Sequence, residues 1–138
     1  TLSTSSASSS SKACDVQWVQ VGSDIDGEAS EDQSGESVSL SSEGNVVAVG
    51  ARWNDGNGSN SGHVRVFQLD SSKNWVQVGS DIDGEASDDY SGGSVALSSN
   101  SNIVAIGAAS NNGNGDGSGH VRVYESKCVS YPLFPIFF

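Results

Sequence analysis

Thirteen residues, Trp-Val-Gln-Val-Gly-Ser-Asp-Ile-Asp-Gly-Glu-Ala-Ser, occur twice without a change, at Trp18–Ser30 and at Trp75–Ser87. The offset of 57 residues continues downstream without insertion: Gly35 corresponds to Gly92, Gly50 to Gly107, His63 to His120 and Val66 to Val123. About two-thirds of the aligned positions are identical. A fixed period of this length marks propellers and stacked arrays, in which one unit cannot bury its apolar faces alone.

Within each period the apolar residues alternate. Trp18–Gly22 reads as a strand ending at glycine, followed by an acidic loop over 23–35. Ser37–Ser41 alternates with Val38 and Leu40 on one face, and Ser42–Asn45 is a hairpin connection. Val46–Ala51 is apolar on both faces and must be covered on both. A loop of Asn, Asp, Gly and Ser spans 54–62, and His63–Phe67 alternates again before the polar connection Asp70–Asn74. No three-to-four spacing survives beyond one turn, and glycine is frequent, which excludes helices. The expected fold is all-β: two four-stranded antiparallel units of the kind that make propeller blades. The Trp strand falls in the phase of a fourth strand of the preceding unit, so Trp75–Gly79 should close the first unit. Trp18–Gly22 then has no unit before it to join.

With 17 Asp+Glu against 6 Lys+Arg, the chain carries a formal charge of −11. That balance excludes a nucleic-acid partner, whose phosphates require clustered Lys and Arg, and disfavours anionic lipid. No apolar run is long enough to span a bilayer as a helix. An acidic, Ser-rich chain that begins at Thr1 and has no Met reads as a processed, secreted protein.

The segments 34–41, 46–51 and 62–67, with their copies 91–98, 103–108 and 119–124, resemble FG-GAP repeats of the integrin-α type of β-propeller. The resemblance covers about Trp18–Tyr124. It implies blades of a seven-bladed ring, extracellular ligand binding or cell adhesion, and calcium held in blade loops. The family's calcium loop, of the form Asp-x-Asp-x-Asp-Gly, lies between the first two strands. The corresponding hairpins Ser42–Asn45 and Ser99–Asn102 carry at most one carboxylate.

Candidate cation ligands lie elsewhere. The acidic loops offer Asp24, Asp26 and Glu28 in the first copy and Asp81, Asp83 and Glu85 in the second; clustered carboxylates can hold Ca²⁺. The alternative is that these acids, with Asp32, Asp88 and Asp89, accept hydrogen bonds from turn N–H groups or pair with Arg65 and Arg122. Asn112, Asn114 and Asp116 have the spacing of a calcium loop with two carboxylates replaced by amides. His63 and His120, one per copy with no second His or Cys nearby, read as packing residues. No nucleophile motif accompanies them, so the chain reads as non-enzymatic with no required cofactor. Asn57 heads the only N-glycosylation sequon.

Cys14 and Cys128 share one phase of the repeat, that of Ser71 in the connection leading to the Trp strand. If Trp18–Gly22 docked beside Val121–Tyr124, the two thiols would meet, within one chain or between two, and could form a disulfide. Free thiols are the alternative. The sequence thus divides into a Ser/Thr-rich leader at 1–13, disordered or glycosylated, β repeats at 14–71 and 72–128, and an apolar, proline-containing tail at 129–138. The functional expectation is an extracellular structural or adhesive module that self-assembles by strand or tail exchange. A propeller module binding a carbohydrate or protein is the alternative.

Overall fold

The computed structural model describes residues 3–4 and 12–129. Most of the leader and the apolar tail from residue 130 onward lie outside the described residues. All regular structure within them is β.

The first repeat forms β1 (Ser37–Leu40), β2 (Val46–Ala51), β3 (His63–Leu69) and β4 (Trp75–Gln77), with the two-residue β5 (Ile82–Asp83). They make one antiparallel sheet in the order β1-β2-β3-β4, with β5 also on β3. The Trp75 stretch therefore closes the first sheet, as its phase predicts. Its register sets Leu69 opposite Trp75 and Phe67 opposite Gln77, and β5 places Val64 opposite Ile82. The acidic loop of the second repeat thus contains a short strand that alternation did not reveal. The second repeat forms β6 (Ser94–Leu97), β7 (Ile103–Ala108) and β8 (His120–Glu125), a sheet of three strands in the order β6-β7-β8.

The expectation of a strand at Trp18–Gly22 fails, and among the described residues the second sheet has three strands. A strand needs a partner ladder, and among the described residues the first copy of the Trp stretch has no third strand before it. At the other end, the phase of a fourth strand for β8 falls at residue 132, outside the described residues. Trp18 is 97% exposed.

The two sheets pack face to face. Ala48 and Val64 from the first meet Val104 and Ile106 from the second, with Val66, Ile82, Val95, Leu97 and Tyr124 around them. The serines of β1 also point into this joint: Ser37 Oγ donates to the Gly92 carbonyl at 2.6 Å, and Ser39 Oγ accepts from Leu97 N at 2.9 Å. Backbone contact is close where Gly62 and Ser91 bridge, and at Gly62 (φ +73) any side chain would strike the Ser91 backbone.

Consequently the Val38–Leu40 face of β1 points away from the second sheet and stays exposed, at 62% and 58%. Their equivalents Val95 and Leu97 face the first sheet and are partly covered. At the other end Val121 and Val123 are 67% and 64% exposed, whereas Val64, the counterpart of Val121, is fully buried. Among the described residues, each outer face of the pair lacks the neighbour that its copy has.

Candidate functional site

The acidic loops are built around one buried carboxylate each. Asp32 accepts from Ala29 N at 3.1 Å and from Asn54 Nδ2 at 2.9 Å. Asp89 repeats this with Ala86 N and Asn111 Nδ2, both at 3.0 Å. In each case both bonds fall on Oδ2, so one carboxylate oxygen ties a turn N–H to an asparagine amide and holds the loop. Asp26 and Asp83 contribute their backbone carbonyls, to Arg65 and Arg122 respectively. Asp24 and Asp81 each accept from a glutamine four residues earlier, Gln20 at 2.8 Å and Gln77 at 2.7 Å.

Asn112 Oδ1 is taken by Gly117 N at 2.6 Å, and the Asn114 backbone N–H by Ser118 Oγ at 3.4 Å. Asn57 is exposed, with its amide nitrogen donating to the Gly84 carbonyl at 2.8 Å. Cys14 and Cys128 are exposed and free. The bridge expected within the chain is not formed, because the Trp18 stretch is not paired on β8 to bring the thiols together.

The fold does assemble one mixed cluster. His63 Nδ1, at the start of β3, stands 3.7 Å from Glu28 Oε2 and 3.7 Å from Asp81 Oδ2. Glu28 comes from the first acidic loop and Asp81 from the second, so the joint between repeats creates the group. In the second repeat His120 Nδ1 keeps the contact to Glu85 at 3.7 Å. The residue in phase with Asp81 would be Phe138, outside the described residues. Sequence spacing hid this set, because its three members come from three distant segments.

A groove of about 580 Å³ lies beside the joint, lined by Arg52, Trp53, Tyr90, Ser94, His120 and Val121 among others. Trp53 and Tyr90 meet edge-to-face at 5.0 Å, and the Arg52 guanidinium lies 5.2 Å from the Trp53 ring centre. Trp53 Nε1 and His120 Nε2 are buried without a hydrogen-bond partner. These residues were missed because attention went to what is repeated. Arg52 and Trp53 stand where the second copy has Ala109 and Ser110, and Tyr90 stands opposite Gln33. Departure from the repeat was the available signal.

The blade-like order of β1 to β4, with the following Trp stretch as outer strand, sets the frame for comparison with known families. Residues 23–67 are an FG-GAP repeat. The matched segment begins inside the first thirteen-residue stretch and ends within β3. Residues 80–124 are the copy of that FG-GAP repeat at the 57-residue offset. A search of curated proteins finds no match to the chain.

Proposed function

We propose that the chain is a non-enzymatic, extracellular β-repeat module that assembles head to tail with further copies of itself. One observation carries this reading: the same thirteen residues supply β4 and β5 at Trp75–Ser87, yet pair with no strand at Trp18–Ser30. A second copy's Trp18 stretch has the sequence that β8 lacks. The internal register transfers directly, with Gln20 of the incoming chain opposite Tyr124 and Ile25 opposite Val121. The same docking lays the Val38–Leu40 face of the incoming copy over Val121 and Val123, as Val95 and Leu97 cover Val64 and Val66 inside the chain. It also removes an open sheet edge at β8. Cys14 of the incoming chain and Cys128 then share one turn, where a disulfide between chains can form. Such heterologous contacts close into rings or run on as filaments. The acidic, Ser-rich composition supports an extracellular setting.

Sedimentation velocity with and without reductant tests this. Oligomers whose size falls when Val21→Pro removes the ladder donor equivalent to Val78, which bonds the Val66 carbonyl at 2.8 Å, are the expected result. A monomer under all conditions refutes it.

A second reading is favoured by the Trp53 groove. An aromatic pair beside the unpartnered ring nitrogens of Trp53 and His120 suits a hydroxyl-rich ligand, so the module would bind a carbohydrate there. Quenching or enhancement of Trp fluorescence by oligosaccharides, abolished in Trp53→Ala, supports it; no change in the wild-type chain refutes it.

A further inference from the structure

We propose that Glu28, His63 and Asp81 form a binding site for a divalent metal ion of the zinc class. The histidine at its centre has a side chain only 2% exposed, and its Nδ1 faces two carboxylate oxygens at 3.7 Å, beyond hydrogen-bonding range. The three ligand atoms lie within 4.8 Å of one another. A tetrahedral ion with bonds of about 2.0–2.1 Å sets neighbouring ligand atoms about 3.4 Å apart, so Nδ1 must close on each oxygen by a few tenths of an ångström and the two carboxylate oxygens on each other by at most about 1.4 Å, within reach of side-chain rotation at the partly exposed Glu28 and Asp81.

Electrostatics point the same way. Glu28 and Asp81 bring two like charges together in a chain of net charge −11. Among the described residues, the ion pairs of Arg52, Arg122 and Lys127 are made with Glu36, Glu85 and Glu125, and none reaches Glu28 or Asp81. A divalent cation relieves that repulsion and satisfies Nδ1 at once. Asp81 is already oriented: Gln77 holds Oδ1 at 2.7 Å, leaving Oδ2 for the ion, the kind of outer hydrogen bond that fixes metal ligands. Three protein ligands leave one position for water. The imidazole selects zinc-class ions over Ca²⁺, which takes six to eight oxygens. This site lies within one chain and does not depend on assembly.

The test uses Co²⁺ as spectroscopic probe and Zn²⁺ as competitor, on the full chain carrying Cys14→Ser and Cys128→Ser so that thiols contribute nothing. At concentrations where the chain is monomeric it should show a visible cobalt band that saturates at one equivalent and is displaced by Zn²⁺ but not by Ca²⁺. Glu28→Gln and Asp81→Asn, at partly exposed positions where folding is preserved, should each weaken binding at least about tenfold, and Gln77→Ala about ten- to hundredfold. Glu85→Gln should leave the one equivalent in place. Absence of a band, or a band unchanged by Glu28→Gln and Asp81→Asn, overturns the proposal.

Discussion

If copies join as the two repeats join, the two outer faces are apolar, complementary and different from each other, and each can be spoiled separately. Val123 is 64% exposed in the single chain, so Val123→Lys costs the monomer within about 0.5 kcal/mol. In the joint it occupies the place of Val66, which is partly buried. Fully burying a valine is worth about 1.5–3 kcal/mol, and going from 64% exposed to a partly buried place gains about half of that at most. The substitution should therefore weaken association by about 0.5–1.5 kcal/mol, about 2- to 13-fold in Kd. Leu40→Lys, 58% exposed, should do the same from the opposite face. The decisive assay is sedimentation of the two variants apart and mixed. Each alone retains one good face and cannot use it against itself. Mixed, the intact Val121–Val123 face of Leu40→Lys meets the intact Val38–Leu40 face of Val123→Lys, and assembly should stop at pairs. Full-length oligomers from either variant alone, or no pairs from the mixture, refute the head-to-tail geometry.

Other outcomes follow from the same contacts. Asp32→Ala strands Ala29 N and the Asn54 amide, and should lower stability by about 1–3 kcal/mol in denaturant unfolding; Asp89→Ala should match it. Asp70 is held below its usual carboxylate pKa, chiefly by the Asn74 backbone N–H, with further bonds from the Asn74 amide and Ser72 N–H. Its folded pKa lies below the unfolded one, so its contribution is present at neutral pH and fades as pH falls through the lowered value. Carbon-detected NMR titration should show that value below that of an ordinary exposed aspartate, and Asp70→Asn should flatten the acid limb of stability. Assembly should raise cobalt uptake from one to two equivalents per chain, because Asp24 of an incoming copy, held by Gln20, reaches Glu85 and His120. A stoichiometry independent of oligomer size contradicts that.

The strands β1, β2, β3, β6, β7 and β8 were legible because alternation with glycine and polar turns is a local signal. The place of Trp75 as the outer strand was legible from phase. The identical Trp18 stretch shows the limit of such reading, since a strand exists only where another presents an open ladder. Val38 and Leu40 alternate as well as Val95 and Leu97 do, yet only the second pair is covered, a matter of which sheet stands in front. His63 looked like a packing residue and is one by burial. Its carboxylate neighbours arrive through the joint between repeats, and nothing in their spacing announces it.

The Trp53 groove and the open end of the second sheet share Ser94, Gly107 and Val121. Inside the chain, the counterparts of the first two, Ser37 and Gly50, are pressed against Gly92 of the neighbouring repeat. A molecule lodged against Trp53 and the next copy therefore compete for one surface. Occupancy of the groove would act as a chain terminator, so that ligand concentration sets the length distribution of the assembly and the degree of polymerisation reports on the ligand.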